Sequence, residues 1–253
     1  MTTIALDSST EVCSAALVHD GEVIAERLNM TGSNHAALLP VYVQELQAEA
    51  AARGLMIDGV VLSEGPGSYT GLRIAASLAK GLCYGLDIPL IAVPTLAVIA
   101  HSAAESQETR DESQEPAIIC PMIDARRMEV YCAVYEIVES RKSKVESFKE
   151  VQALEAKVID EHSFEDLLRE HVVYFCGNGA EKCKAVIKHP NARWIDGIVP
   201  TGAAAGKLVE SRKSKVESLI RIVEGKDIAY FEPNYLKEFV AAPSHVKGLS
   251  VSS

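Results

Sequence analysis

The stretch Glu64 to Arg73, EGPGSYTGLR, holds the densest group of residue types able to bind an anion. It follows the apolar run VVLS and opens an apolar-striped segment, so its backbone amides would emerge at a helix N-terminus, where negative charge is favoured. The letters depart from the common phosphate loops. GxxxxGK[ST] needs a lysine and a metal-binding hydroxyl after its last glycine, and here Gly71 is followed by Leu72 and Arg73. GxGxxG fails as well, because Thr70 stands at the third glycine position. The favoured reading is a tight turn with Ser68 or Thr70 as helix cap; a weak anion site on Gly65, Gly67 and Ser68 is the alternative. Arg73 pairs either with an anion or with Glu64.

Asp7 is the second chemical candidate. At the carboxyl end of a first strand it can hold Mg²⁺ through water, with Ser8 and Ser9 beside a phosphate. The turn DSSTE lacks glycine, however, so Asp7 and Ser9 satisfying their own turn is the simpler reading. DARR, Asp124 to Arg127, is either an acidic ligand or a surface hairpin turn, with the turn favoured. His35 lies beside an apolar helical face; without HxxxH or HExxH spacing it suits a helix cap or an interface better than a metal. No serine sits in GxSxG, so nucleophilic hydrolysis has no handle.

These residues need elements to position them. Thr3 to Leu6, Val12 to Val18 and VIAERL read as three strands, the last two joined by the Asp-Gly turn of HDGE. NHAALLPVYVQELQAEAAARGL has helical apolar spacing at Leu38, Leu39, Val43, Leu46 and Ala50, with Pro40 expected in its first turn. DGVVLSEG is a buried strand. The helix that follows carries Leu72, Ala75, Ala76, Ala79 and Gly81, small residues that let another helix approach. IPLIAVPTL gives a further strand, and TLAVIAHSAA a Pro-started helix. Three strands followed by alternating helix and strand predict a mixed sheet covered by helices, closing near residue 106. Residues 107–116 belong to an acidic linker or loop. Residues 117–253 loosely repeat the first unit, with β-rich runs on either side of DARR, a strand before CGNGA and a helix in AEKCKAVI. The string VESRKSKVES occurs twice, at 138–147 and 209–218; it reads as an inserted surface tract, the first copy a loop and the second at the exposed edge of a helix.

The formal charge of −10 argues against direct grip on a nucleic-acid backbone. No apolar run approaches the roughly 18 residues of a membrane span, and the N-terminus lacks a signal-peptide pattern. The six cysteines form no CxxC pair. A cytoplasmic protein with no membrane contact is expected.

Five motifs in order, IALDSSTEVCSAAL, NHAALLP, GPGSYTGLRIAASLAKGL, VPTLAVIA and DARRMEVY, together resemble the bacterial TsaB family, also called YeaZ. The resemblance covers residues 1 to about 135 and weakens beyond. It implies an actin-like, ribonuclease-H-like (ASKHA) α/β fold of two related lobes, each a mixed sheet covered by helices. It further implies a non-catalytic subunit in the synthesis of N6-threonylcarbamoyladenosine at position 37 of tRNAs reading codons that begin with A. In that family the chemistry belongs to the paralogue TsaD, which carries HxxxH metal ligands and a full nucleotide site. TsaB-like chains bind it through N-lobe helices, TsaE, an ATPase, joins the pair, and tRNA is met through the complex.

The interface residues this implies are His35, Leu38, Leu39, Tyr42 and Leu46 on the first helix and Arg73, Ser77 and Lys80 on the second. No catalytic residue and no metal ligand is expected. The chain alone is expected to hold no cofactor, with ATP or ADP and Mg²⁺ entering only at the partner interface; a homodimer would use the same face when the partner is absent. The longer acidic loop and the two VESRKSKVES tracts depart from the family pattern and leave the C-lobe details in doubt. The alternative function is a stand-alone ATP-dependent kinase or ATPase of the same superfamily, motivated by Asp7, DSST and GPGS. An endopeptidase role lacks its histidine motifs.

Overall fold

The computed structural model describes residues 1–32, 34–106, 116–139, 145–210 and 217–236. The chain opens with β1 (Thr2–Asp7), β2 (Cys13–His19) and β3 (Glu22–Asn29), then α1 (His35–Ala52), β4 (Gly59–Ser63), α2 (Tyr69–Leu86), β5 (Leu90–Val93) and α3 (Thr95–Glu105). It continues with β6 (Ala117–Asp124), β7 (Glu129–Glu139), β8 (Val145–Val158), α4 (Glu165–Glu170), β9 (Val173–Cys176), α5 (Ala180–Cys183), β10 (Ala192–Ile195), α6 (Gly202–Glu210) and β11 (Arg221–Val223).

Two mixed sheets result, ordered β11-β5-β4-β1-β2-β3 and β10-β9-β6-β7-β8. Each is built on an antiparallel hairpin, β1–β2 or β6–β7, whose first strand also pairs in parallel with a later one, β4 or β9. The β2–β3 turn places Asp20 and Gly21 at φ 48° and 83°, the primed geometry that Asp-Gly favours.

The strands read as continuous apolar runs because both faces of each sheet are covered. In β1, Ile4 and Leu6 face one core while Ala5 faces another; β4 and β5 alternate in the same way. Helices α1 and α2 cover the outer face of the first sheet, and α4 and α5 the outer face of the second. Between the sheets lie α3 and α6, exchanged across the molecule. Helix α3, from the first half of the chain, packs on β6 and β7, whereas α6 packs on β1, β2 and β4. Close approach of α6 requires glycine, since a Cβ on Gly202 would sit 2.4 Å from the Ala5 carbonyl oxygen. The Gly202 amide also donates to Ser14 Oγ at 2.6 Å.

Several expectations need correction. Division at residue 106 follows the chain and not the packing, because β11 pairs with β5 in the first sheet. Pro40 lies inside α1 beyond its first turn, on the exposed side of the helix. The helix expected over AEKCKAVI ends at Cys183. The outer parts of the first VESRKSKVES copy are strand, in β7 and β8, instead of loop; 140–144 and 211–216 lie outside the described residues, as do 107–115 of the acidic segment. All six cysteines are free and buried. No described helix is long and apolar enough to cross a membrane.

Candidate functional site

Asp7 ends β1 with its carboxylate fully buried. Ser9 turns back on it, donating from its amide at 3.1 Å and from its hydroxyl at 3.0 Å, which is the self-satisfied turn the sequence favoured. Desolvation pushes the Asp7 carboxyl up to about 6, against the pull of the facing Ser63 hydroxyl, the two Ser9 donors and His35.

The glycine corner is clamped directly onto this turn. The Ser68 amide donates to the Ser9 carbonyl at 2.6 Å, and Ser8 Oγ donates to the Gly71 carbonyl at 2.8 Å. A Cβ on Gly67 would lie 2.2 Å from the Ser9 carbonyl oxygen, and one on Gly71 would lie 1.9 Å from that of Ser8. Ser68, not Thr70, caps α2, accepting from the Gly71 amide at 3.3 Å. The Gly65 amide is spent on Thr95 Oγ1 at 3.1 Å. Of the anion-site candidates, Gly65 and Ser68 thus already spend their amides inside the fold.

A cavity of about 940 Å³ opens between the two hairpin turns. Ser9, Gly67, Ser68, Thr70, His35, Arg126, Tyr131, Asn178 and Tyr235 are among the residues that line it, while Asp7, Ser8 and Gly65 do not reach it. The six residues grouped as an anion site are therefore split, three on the cavity wall and three sealed behind it. Asn178 bridges the two halves, donating to Glu11 Oε2 at 3.0 Å and accepting from the Asp124 amide at 3.0 Å. His35 Nε2 sits 3.2 Å from the Thr10 carbonyl oxygen, tying the start of α1 to the first turn. The turn DARR is a hairpin end, as favoured.

The interface candidates also divide. Leu39 and Leu46 have no exposure and belong to the core under β2, so neither can meet a partner. Leu38 and Tyr42 are half-buried against the same core. Arg73 and Ser77 are exposed, and Arg73 donates to Tyr69 Oη at 3.2 Å; Glu64 pairs instead with Arg221 at 2.5 Å. Lys80 is half-buried and donates to the Phe231 carbonyl at 2.9 Å.

Sequence reasoning missed two features here. The ridge of α2 pointing outward continues through Gly81, Tyr84, Gly85 and Leu86, with Tyr84 89% exposed and nothing within 4 Å of a Cβ on either glycine. The sequence groups Gly81 with Leu72 and Ala79, but the buried stripe runs through Leu72, Ala75, Ala76, Ala79 and Cys83. A two-residue step from Ala79 turns about 200° around the helix, which is the signal that separates them. The second feature is a strap, residues 231–236, crossing back over the corner. Its Asn234 amide donates to the Glu64 carbonyl at 2.7 Å, and its Tyr235 ring packs 4.9 Å from that of Tyr69.

Among the described residues, no group of three or more His, Cys, Asp or Glu side chains is placed to hold a metal ion. Burial pushes the thiols of Cys13 and Cys183 up to about 11 and that of Cys83 to about 12, leaving them protonated at neutral pH.

The family described as "TsaD: tRNA N6-adenosine threonylcarbamoyltransferase" matches residues 28–243. A protein of Escherichia coli (strain K12) named tRNA threonylcarbamoyladenosine biosynthesis protein TsaB is 30% identical over 244 residues, covering 95% of this chain and 96% of its own. The protein of the same name from Bacillus subtilis (strain 168) is 28% identical over 239 residues, 94% of each chain. The solved structure of YeaZ from Pseudomonas aeruginosa superposes with a TM-score of 0.72 at 25% identity, over 93% of this chain and 99% of that one. The two helix-covered mixed sheets are the duplicated actin-like α/β fold. With a family match over most of its length and a relative 30% identical from end to end, the chain belongs to the TsaB (YeaZ) family.

Proposed function

We propose that this chain is a non-catalytic subunit in the biosynthesis of N6-threonylcarbamoyladenosine at position 37 of tRNAs reading codons that begin with A. In this reading it binds and activates a TsaD-type transferase, a TsaE-type ATPase joins the pair, and tRNA is contacted through the complex in the cytoplasm. ATP or ADP with Mg²⁺ enters only where the subunits meet. The relatives named for this biosynthesis support the pathway. The observation that carries the subunit role is the outward ridge of α2, where Arg73, Ser77, Gly81, Tyr84 and Gly85 stand uncovered and two glycines and a large aromatic ring face solvent together. Exposed glycines in a helix cost about 1 kcal/mol each relative to alanine, and close approach of a second helix is the usual return for that cost. A homodimer through the same ridge follows when the transferase is missing. The kinase reading requires a strand-end carboxylate facing the cleft, whereas Asp7 lies beneath the corner.

Gly81→Arg tests the ridge cleanly. The side chain has open space and arginine is the better helix former, so melting temperature should hold or rise. Affinity for the TsaD-type protein should fall at least about tenfold, the equivalent of roughly 1.4 kcal/mol. Pull-down titration and mass analysis of tRNA nucleosides read both effects. Unchanged affinity together with unchanged threonylcarbamoyladenosine would remove α2 from the interface.

A further inference from the structure

We propose that the ammonium of Lys182 is a built-in structural cation, filling an oxygen seat at the end of β6 that accepts a divalent ion once the lysine is removed. Asp7 and Asp124 are the last residues of the leading strands of the two sheets, each followed by a polar turn and an antiparallel partner. The first is withdrawn into the core. The second stays at the cavity rim and is met by Lys182 from α5.

The geometry is that of a small cation in an oxygen cage. Lys182 Nζ donates to Asp124 Oδ1, to the Arg127 carbonyl at 2.7 Å and to the Glu129 carbonyl at 2.6 Å, which uses all three of its protons. Its side chain is only 23% exposed. Arg126 and Arg127 take φ of 71° and 50°, a left-handed conformation that costs energy in any residue with a Cβ. Two such residues in succession curl the turn so that both carbonyls face the point the carboxylate faces. A calcium ion takes oxygens at about 2.3 to 2.6 Å, slightly closer than the roughly 2.7 to 2.9 Å of an ammonium, so a small inward shift of these three oxygens would seat it. With one carboxylate and two carbonyls, the seat left by a neutral side chain would need water to complete its shell and would bind in the millimolar range. With Lys182 in place the Asp124 charge is cancelled from within, and Arg126 is presented to the cavity without a metal.

The test compares thermal melting of the full chain and of Lys182→Met in CaCl₂ and in KCl at matched ionic strength. The variant should melt about 5 °C lower in calcium-free buffer, as expected for a lost charge-assisted hydrogen-bond set. Calcium at about 10 mM should restore at least half of that loss, in keeping with a millimolar site. The parent should not respond, and adding Asp124→Asn to Lys182→Met should abolish the restoration. Parent-like melting of Lys182→Met, a loss that calcium does not restore, or an equal calcium response in the parent overturns the proposal. If the variant folds only with calcium the proposal stands, and if it folds in neither buffer it fails.

Discussion

Asp7→Asn should raise stability at pH 7 by about 3 kcal/mol and expose an acid-labile slope that the parent lacks. The carboxyl titrates near 6 in the folded chain because burial withholds water from its anion, against 3.8 for an ordinary aspartate. Folding therefore takes up a proton between these values, and stability falls as pH rises from about 4 to 6, by roughly 2 units × 1.36 kcal/mol. Asparagine keeps an oxygen for the Ser9 donors and has no charge to desolvate.

His101 on α3 does the opposite. Burial lowers it to about 4, from 6.5, with Glu105 raising it and Lys207 lowering it further. Here the unfolded chain binds the extra proton, so stability is lost as pH falls from about 6.5 through 4. Over pH 4 to 6 the two slopes, each about 1.4 kcal/mol per pH unit, cancel. Urea denaturation at half-unit pH steps should show Asp7→Asn gaining that positive slope relative to the parent, and His101→Gln the mirror image. A parallel offset at all pH values for Asp7→Asn would mean that the Asp7 carboxyl titrates alike in the folded and the unfolded chain, which overturns the raised value.

Gly71→Ala should lower stability by about 3 kcal/mol, some 6 to 12 °C in melting temperature for a chain of this size. Helix propensity alone predicts the reverse sign, a gain of up to about 1 kcal/mol on replacing a helical glycine by alanine. Tertiary contact wins, because the new methyl would lie 1.9 Å from the Ser8 carbonyl oxygen and backbone has no rotamer with which to move aside. Corner and turn must separate, which also breaks the Ser8 and Ser68 bonds between them. Ser8→Ala supplies the graded control, with about 1 kcal/mol expected for one hydrogen bond. Gly71→Ala melting at or above the parent would show that α2 is not seated on the first turn.

The first half of the fold was legible because its strands and helices carry clear periods and its turns carry Asp-Gly and glycine signals. Strand β8 was not, since as an edge strand of VQALEAKV character it mixes charge and apolar residues without a turn signal on either side. Periodicity also tells which residues share a helix face but not which face turns inward. Leu39 and Leu46 therefore read as interface although they are core, and nothing in the spacing marks Tyr84 as outward. For Asp7 the residue type was informative and its exposure was not: a strand-end aspartate reads alike whether it faces a cleft or lies under a glycine corner. The strap and Lys182 act through contacts 50 or more residues apart in sequence, which no local pattern records.

The first sheet is closed by β11, so the outer edge of β5, whose other edge pairs with β4, stays open until the ribosome has passed residue 223. At 5 to 20 residues per second, roughly 130 residues of synthesis leave that row of amides and carbonyls open for on the order of ten seconds. During that interval the nascent chain carries an unpaired apolar edge of the kind that recruits strands from other chains. Prompt synthesis through residue 223 shortens that exposure, and a truncation before Arg221 would make the open edge permanent.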